Sequence, residues 1–121
     1  MIQGLRTAIY PVTDLEQGKA WYTKVLGKPP YFDQPYYVGY SVGGFELGLI
    51  PDGKPGTQGV RAYWGVPDAA AEARRLEAMQ ARVHDELKDV GDGIKVASFL
   101  DPFGNIFGII ENPHFDPEAI Q

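Results

Sequence analysis

A chain of 121 residues suits one small domain, and at that size roughly two-thirds of the unfolded chain's surface can be buried, enough for a real core. Apolar residues make up 44% and the formal net charge is −5, which argues against nucleic acid or an anionic membrane surface as a partner. With no cysteine, disulfides, thiolate-held zinc and thiol nucleophiles are excluded; two histidines, His84 and His114, are too few for a His-rich metal site.

The opening "MIQGLRTAIYPV" lacks the long apolar core of a signal peptide, and no window approaches 18 continuous apolar residues, so a cytoplasmic location and no membrane partner are expected. Within it, "GLRTAIYPV" alternates and predicts a strand over about 4–12. Thr13 followed by Glu16 is a capping-box pattern, and Leu15, Trp21, Tyr22, Val25 and Leu26 recur at near-helical spacing. Gly27 suits the position just past a helix and Pro29-Pro30 prevent its continuation, so the spacing predicts a helix over 14–26. "YYVGYSVGGFELGLI" reads as two strands around a Gly43-Gly44 turn, and residues 51–59, "PDGKPGTQG", have linker composition.

"VRAYWGV" reads as the next strand, and "PDAAAEARRLEAMQAR" as a second helix that Asp68 can cap. "VHDELKDV" is a short polar strand or edge, "GDG" a turn, and "IKVASFL" and "NIFGIIE" a final strand pair around "DPFG"; "NPHFDPEAIQ" is a tail. The two halves repeat. At an offset of 54, Ala8 meets Ala62, Val12 meets Val66 and Asp14 meets Asp68; at an offset of 60, Gly44 meets Gly104, Gly48 meets Gly108 and Ile50 meets Ile110. A duplicated βαβββ unit is the simplest account, with module 1 over about 1–51, a linker over about 52–58, module 2 over about 59–112 and a tail over 113–121.

"YPVTDLEQGKAWYTKVLG" near the N-terminus and "SFLDPFGNIFGII" near the C-terminus, taken with the duplicated layout, resemble the vicinal oxygen chelate superfamily, also called glyoxalase/bleomycin resistance/dioxygenase. The resemblance covers almost the whole chain. It implies an α+β fold in which two βαβββ modules form curved mixed sheets around an open cup, and it implies a homodimer. Uncovered sheet edges make self-association physically reasonable.

Metal-dependent members of that superfamily place four ligands in the cup, typically His, Gln or Glu. Carrying their motif spacings over puts the first-strand ligand at Thr7, its counterpart in module 2 at Arg61, the last-strand ligand at Gly108, and its repeat partner at Gly48. None is a good ligand, two have no side chain, and a guanidinium repels a dication. No metal and no cofactor are therefore expected.

Period-2 alternation instead lines the cup with Thr7, Ile9, Glu46, Gly48, Arg61, Tyr63, Ile106 and Gly108. Two glycines leave the cup floor open, and the lining is apolar and aromatic with a few polar groups, the usual makeup of a small-molecule site. Arg61 either clamps a carboxylate or phosphate of a ligand or pairs with Glu46. Tyr10, Tyr36, Tyr37, Tyr40 and Trp64 are expected in core or dimer contacts. His84 is expected at the surface and His114 in solvent. No Ser-His-Asp order or phosphate-binding glycine loop appears. The leading expectation is metal-free binding of a small organic molecule in the cup of a homodimer. The alternatives are a lyase, isomerase or dioxygenase with an atypical site, and a structural or regulatory dimer without a ligand.

Overall fold

A computed structural model describes residues 1, 3–116 and 118 of the chain. It divides into two compact units at Gly56/Thr57. In the first, β1 (Thr7–Pro11) is followed by α1 (Leu15–Leu26), β2 (Phe32–Gln34), β3 (Tyr37–Val42) and β4 (Phe45–Ile50). In the second, β5 (Tyr63–Gly65) is followed by α2 (Ala69–Ala78), β6 (Arg82–Gly91), β7 (Ile94–Leu100) and β8 (Ile106–Glu111). The βαβββ order thus occurs twice. Each unit forms one four-stranded mixed sheet, ordered β1-β4-β3-β2 and β5-β8-β7-β6, in which only the first pair is parallel.

The helices begin where the repeat places its aspartates. Asp14 accepts a hydrogen bond from the backbone of Gln17 at 3.1 Å, and Asp68 from Ala71 at 3.0 Å, so each satisfies an orphan donor of the first turn. The cap of α1 is therefore Asp14 and not Thr13, because Asp14 holds the extended conformation a cap requires (φ −137°). Gly27 ends α1 in the left-handed region at φ 72° and donates its N–H to Thr23 at 2.9 Å. Helix α2 is shorter than its composition suggests. It ends at Ala78, and Gln80 turns left-handed at φ 67°.

One face of each sheet is covered by its own helix. Helix α1 packs on β3 and β4, burying Tyr22 and Val25 against Tyr40, Leu47 and Leu49. Helix α2 packs on β6, β7 and β8, burying Ala69, Ala73 and Leu76 over Ala97, Phe99, Phe107 and Ile109. Fully burying each large apolar side chain is worth about 1.5–3 kcal/mol. Glu111 turns to the helix side as well, accepting from the first N–H of α2 at Ala69, 2.9 Å away.

Several boundaries differ from expectation. The first strand starts at Thr7, where β4 begins to run beside it, and a short strand β2 was not resolved as separate in the sequence. Strand β5 is only three residues long, because its one partner in the sheet is β8, beside Tyr63–Gly65, so Arg61 precedes the strand. Strand β6 runs over ten residues at the sheet edge, almost wholly exposed, with bulges and charges that blunt an edge.

The "DPFGN" turn is held by a buried carboxylate. Asp101 is fully buried; its Oδ1 accepts from the backbones of Phe103 (2.8 Å) and Asn105 (2.9 Å), and its Oδ2 from Asn105 Nδ2 at 2.9 Å. Gly104 takes φ 88°, which a side chain disfavours. A buried carboxylate is tolerated only when hydrogen-bonded in this way. His114 lies exposed in a turn after β8, its Nε2 2.8 Å from the carbonyl of Asp92. The expected tail lies outside the described residues at 117 and 119–121. Among the described residues no helix is long and apolar enough to cross a membrane.

Candidate functional site

The seven expected site residues fall on both units: Thr7, Ile9, Glu46 and Gly48 on the first, and Arg61, Tyr63 and Gly108 on the second. In the first unit, Thr7 pairs with Glu46 and Ile9 with Gly48 across β1 and β4. All four therefore share one face, and it is the face turned away from α1. The Gly43-Gly44 hairpin, with φ of 56° and 90°, sets Ser41 opposite Glu46 and Gly39 opposite Gly48.

Two glycines thus face each other on neighbouring strands, and the depression they leave is filled. A Cβ placed on Gly48 would stand 2.6 Å from Cζ and 2.9 Å from Cε1 of Tyr37. One placed on Gly39 would meet Tyr37 Cε2 at 3.1 Å, Tyr31 Cε1 at 3.4 Å and Glu46 Oε2 at 3.5 Å. The phenol of Tyr37 lies across the glycine pair and that of Tyr31 lies beside it. Both hydroxyls donate to Glu46, Tyr31 to Oε1 and Tyr37 to Oε2. The phenol of Tyr31 is held above its ordinary value, first by its bond to Glu46. That of Tyr37 is raised strongly, first by burial and then by the Glu46 bond. Both remain donors throughout the physiological range. Phe32 stacks edge-on against Tyr37 with centroids 6.0 Å apart.

In the second unit, Tyr63 pairs with Gly108 across β5 and β8, and Ser98 pairs with Gly108 across β7 and β8. A Cβ on Gly108 would stand 2.6 Å from Tyr63 Cδ1 and 2.7 Å from the carbonyl oxygen of Ala62. Beside this, Asp85 Oδ2 accepts from the buried Ser98 hydroxyl at 2.8 Å and from Arg61 Nη1 at 3.1 Å. The Ser98 hydrogen bond is the main cause that holds the Asp85 carboxyl below its ordinary value, with the charges of His84, Arg61 and Lys88 adding to it.

These contacts correct two expectations. The floor at the glycines is not open: Tyr37 covers Gly48, and Tyr63 covers Gly108. The covering tyrosines come from strands that the repeat does not relate, since the counterpart of Tyr63 is Ile9. Neither does Arg61 pair with Glu46; its carboxylate is Asp85, and Glu46 is engaged by two phenols.

The residues at the family's four ligand positions do not fit a metal. Thr7 and Arg61 are the only side chains among them, Gly48 and Gly108 have rings in the space a ligand side chain needs, and no three His, Cys, Asp or Glu among the described residues converge on one point. Tyr10 and Tyr40 are core residues, whereas Tyr31 and Tyr36 are exposed by about two-thirds (64% and 66%). Sequence reading missed Tyr31 and Tyr37 as site residues. For Tyr37 the signal was available: it alternates with Gly39 and Ser41, and a two-residue hairpin sets that face opposite Glu46. For Tyr31, outside any strand, there was none.

Two open cavities adjoin the first sheet. One, of about 510 Å³, lies by the start of α1 and carries Asp14, Glu16 and Asp33. Those charges are engaged, Asp14 as the helix cap and the other two with Lys19 at 3.3 and 3.0 Å. The other, of about 390 Å³, is bordered by Glu46 and Tyr31 and sits at the tyrosine cluster.

The profile of the Glyoxalase/Bleomycin resistance protein/Dioxygenase superfamily matches residues 4–109. No curated protein matches the chain. Among solved structures, lactoylglutathione lyase from Agrobacterium tumefaciens is 17% identical with a TM-score of 0.80, covering 96% of this chain and 100% of that one. A superfamily member from Sphaerobacter thermophilus is 21% identical with a TM-score of 0.74 over 92% and 98%. A glyoxalase/bleomycin resistance protein from Catenulispora acidiphila is 22% identical with a TM-score of 0.70 over 91% and 100%. At these identities the likeness is one of fold.

Proposed function

The chain belongs to the Glyoxalase/Bleomycin resistance protein/Dioxygenase superfamily, and from that premise we propose that it works without a metal, as a homodimer that binds a small organic molecule on the helix-free sheet faces. The observation that carries this reading is the filling of Gly48 and Gly108 by Tyr37 and Tyr63. Where a metal enzyme would present donors, this chain presents aromatic rings, and in the first unit a carboxylate held by two phenols. Aromatic surface with a few placed polar groups is the makeup of a ligand site. The lyase activity named for the Agrobacterium protein is not carried over, because at 17% identity the likeness is one of fold. Exposed apolar side chains on edge strands, Ile9 on β1 and Tyr63 on β5, support self-association.

Metal analysis of the purified protein is expected to find only substoichiometric divalent ions; one tightly held ion per chain would overturn the metal-free reading. A thermal-shift panel of aromatic amines, carboxylates, phosphates and amphoteric compounds tests binding. A ligand at 100 times its Kd stabilises by about 2.7 kcal/mol, and a panel in which nothing shifts the melting temperature removes the binding reading. Sedimentation is expected to give twice the chain mass at micromolar concentration, and a monomer there would sink the homodimer.

A further inference from the structure

Building on the small-molecule reading above, we infer that the cavity of about 390 Å³ in the first unit takes an amphoteric molecule. Such a molecule carries an anionic group, a protonated amine and an apolar or aromatic body, as an aromatic amino acid does. The cavity is lined by side chains of opposite charge. Arg6 and Glu46 both line it, and the backbone N–H of Glu46, on β4, donates at 2.8 Å to the carbonyl of Arg6, the residue just before β1.

Among the described residues neither charge has an opposite charge within ion-pair distance. The Arg6 guanidinium reaches two neutral acceptors, the Leu5 carbonyl at 3.2 Å and Gln3 Oε1 at 3.3 Å, and no carboxylate pairs with it among the described residues. It has five N–H donors in a fork that suits a carboxylate. Glu46 accepts one hydrogen bond at each oxygen, from Tyr31 and Tyr37. A carboxylate has about four acceptor positions, so two remain for an incoming donor. The phenols hold the carboxylate in place, which reduces the ordering cost on binding.

The walls agree with this. Thr7 and Ser41 add hydroxyls, while Tyr31 and Phe45 add aromatic surface. A purely cationic ligand would meet the Arg6 charge, and a purely anionic one the Glu46 charge. A molecule bearing both groups satisfies both.

Isothermal titration of the full chain with three matched probes tests the inference: phenylalanine, phenethylamine and 3-phenylpropionate. Phenylalanine is expected to bind at least about tenfold more tightly than either, a difference of about 1.4 kcal/mol. Arg6→Gln, at an exposed position, is expected to bring phenylalanine down to the level of phenethylamine. Glu46→Gln is expected to bring it down to that of 3-phenylpropionate. The ranking on the unaltered protein is informative even if a variant fails to fold. Phenethylamine binding as tightly as phenylalanine, or none of the three binding while another panel compound does, overturns the amphoteric site and leaves the binding reading standing. If no compound of the whole panel binds, both fall.

Discussion

Replacing each of the paired glycines by alanine should have unequal consequences, although the repeat makes them equivalent. At Gly48 the new methyl meets the outer part of the Tyr37 ring, with Cζ at 2.6 Å and Cε1 at 2.9 Å. That ring is the end of a flexible side chain and can swing out. The cost is its hydrogen bond to Glu46 and some packing, about 1–2 kcal/mol. Removing a strand glycine returns about 0.5–1 kcal/mol, leaving Gly48→Ala destabilised by about 1 kcal/mol. At Gly108 the methyl meets the Ala62 carbonyl oxygen at 2.7 Å as well as Tyr63 Cδ1 at 2.6 Å. A main-chain atom cannot rotate away, and the same carbonyl accepts the Gly108 N–H at 3.2 Å. Relief requires β5 and β8 to part, which should cost about 3 kcal/mol or more. Urea unfolding resolves this. With a slope of about 1–3 kcal/mol/M, Gly108→Ala should lower the midpoint by about 1 M or more. In a Tyr37→Ala background, Gly48→Ala should become neutral or stabilising, whereas Tyr63→Ala should not rescue Gly108→Ala because the carbonyl remains. Equal losses at the two glycines, or no rescue by Tyr37→Ala, would refute the steric reasoning.

Three further outcomes can be checked by denaturation. Asp101→Ala strips the "DPFGN" turn of three hydrogen bonds made by a fully buried carboxylate, so a loss of about 3 kcal/mol is expected, and a loss below about 1 kcal/mol would contradict its role in the turn. The Asp85 carboxyl is depressed below its ordinary value of 3.8 in the folded chain; its stabilisation is therefore present above that pH and disappears as pH falls through the depressed value. Ser98→Ala removes the main cause, so the folded value moves back toward 3.8 and the acid decline of stability should become shallower; an unchanged decline counts against the assignment. The phenols of Tyr31 and Tyr37 are raised above 10.0, so stability should be complete below pH 10 and decline as pH climbs above it; in Tyr37→Phe that alkaline decline should be visibly shallower.

Much of this protein was legible from residue spacing. Asp68 caps its helix as expected, because a carboxylate before a helical run meets local donors whatever surrounds it; at the first helix the expected capping residue was Thr13, and its neighbour Asp14 takes that place. The Gly43-Gly44 hairpin dictates its own register, so Gly39 facing Gly48 followed from local turn geometry. The doubled βαβββ layout needed only the letters of the chain, and the residues at positions 7, 48, 61 and 108 could be checked as ligands once the resemblance had supplied those positions. Period-2 alternation also grouped Thr7, Ile9, Glu46 and Gly48 on one face, since that grouping depends on the pleat alone.

What tertiary structure alone decided is what occupies the space beside those residues. A glycine in a strand states that a side chain is missing, not which neighbour fills the gap. Tyr37 reaches Gly48 from the adjacent antiparallel strand and Tyr63 reaches Gly108 from the parallel one; alternation and the hairpin put Tyr37 on the right face, but which ring lies over which glycine was decided by packing. Tyr31 lies 15 residues from the carboxylate it holds, and Asp85 lies 24 from Arg61. Contacts at such separations arise from sheet packing and carry no periodic signature. Alternation placed Glu46 on the same face as Thr7, but only the folded chain chose the partners of Glu46 and Arg61, because hydrogen bonding selects by distance in space and not by order along the backbone.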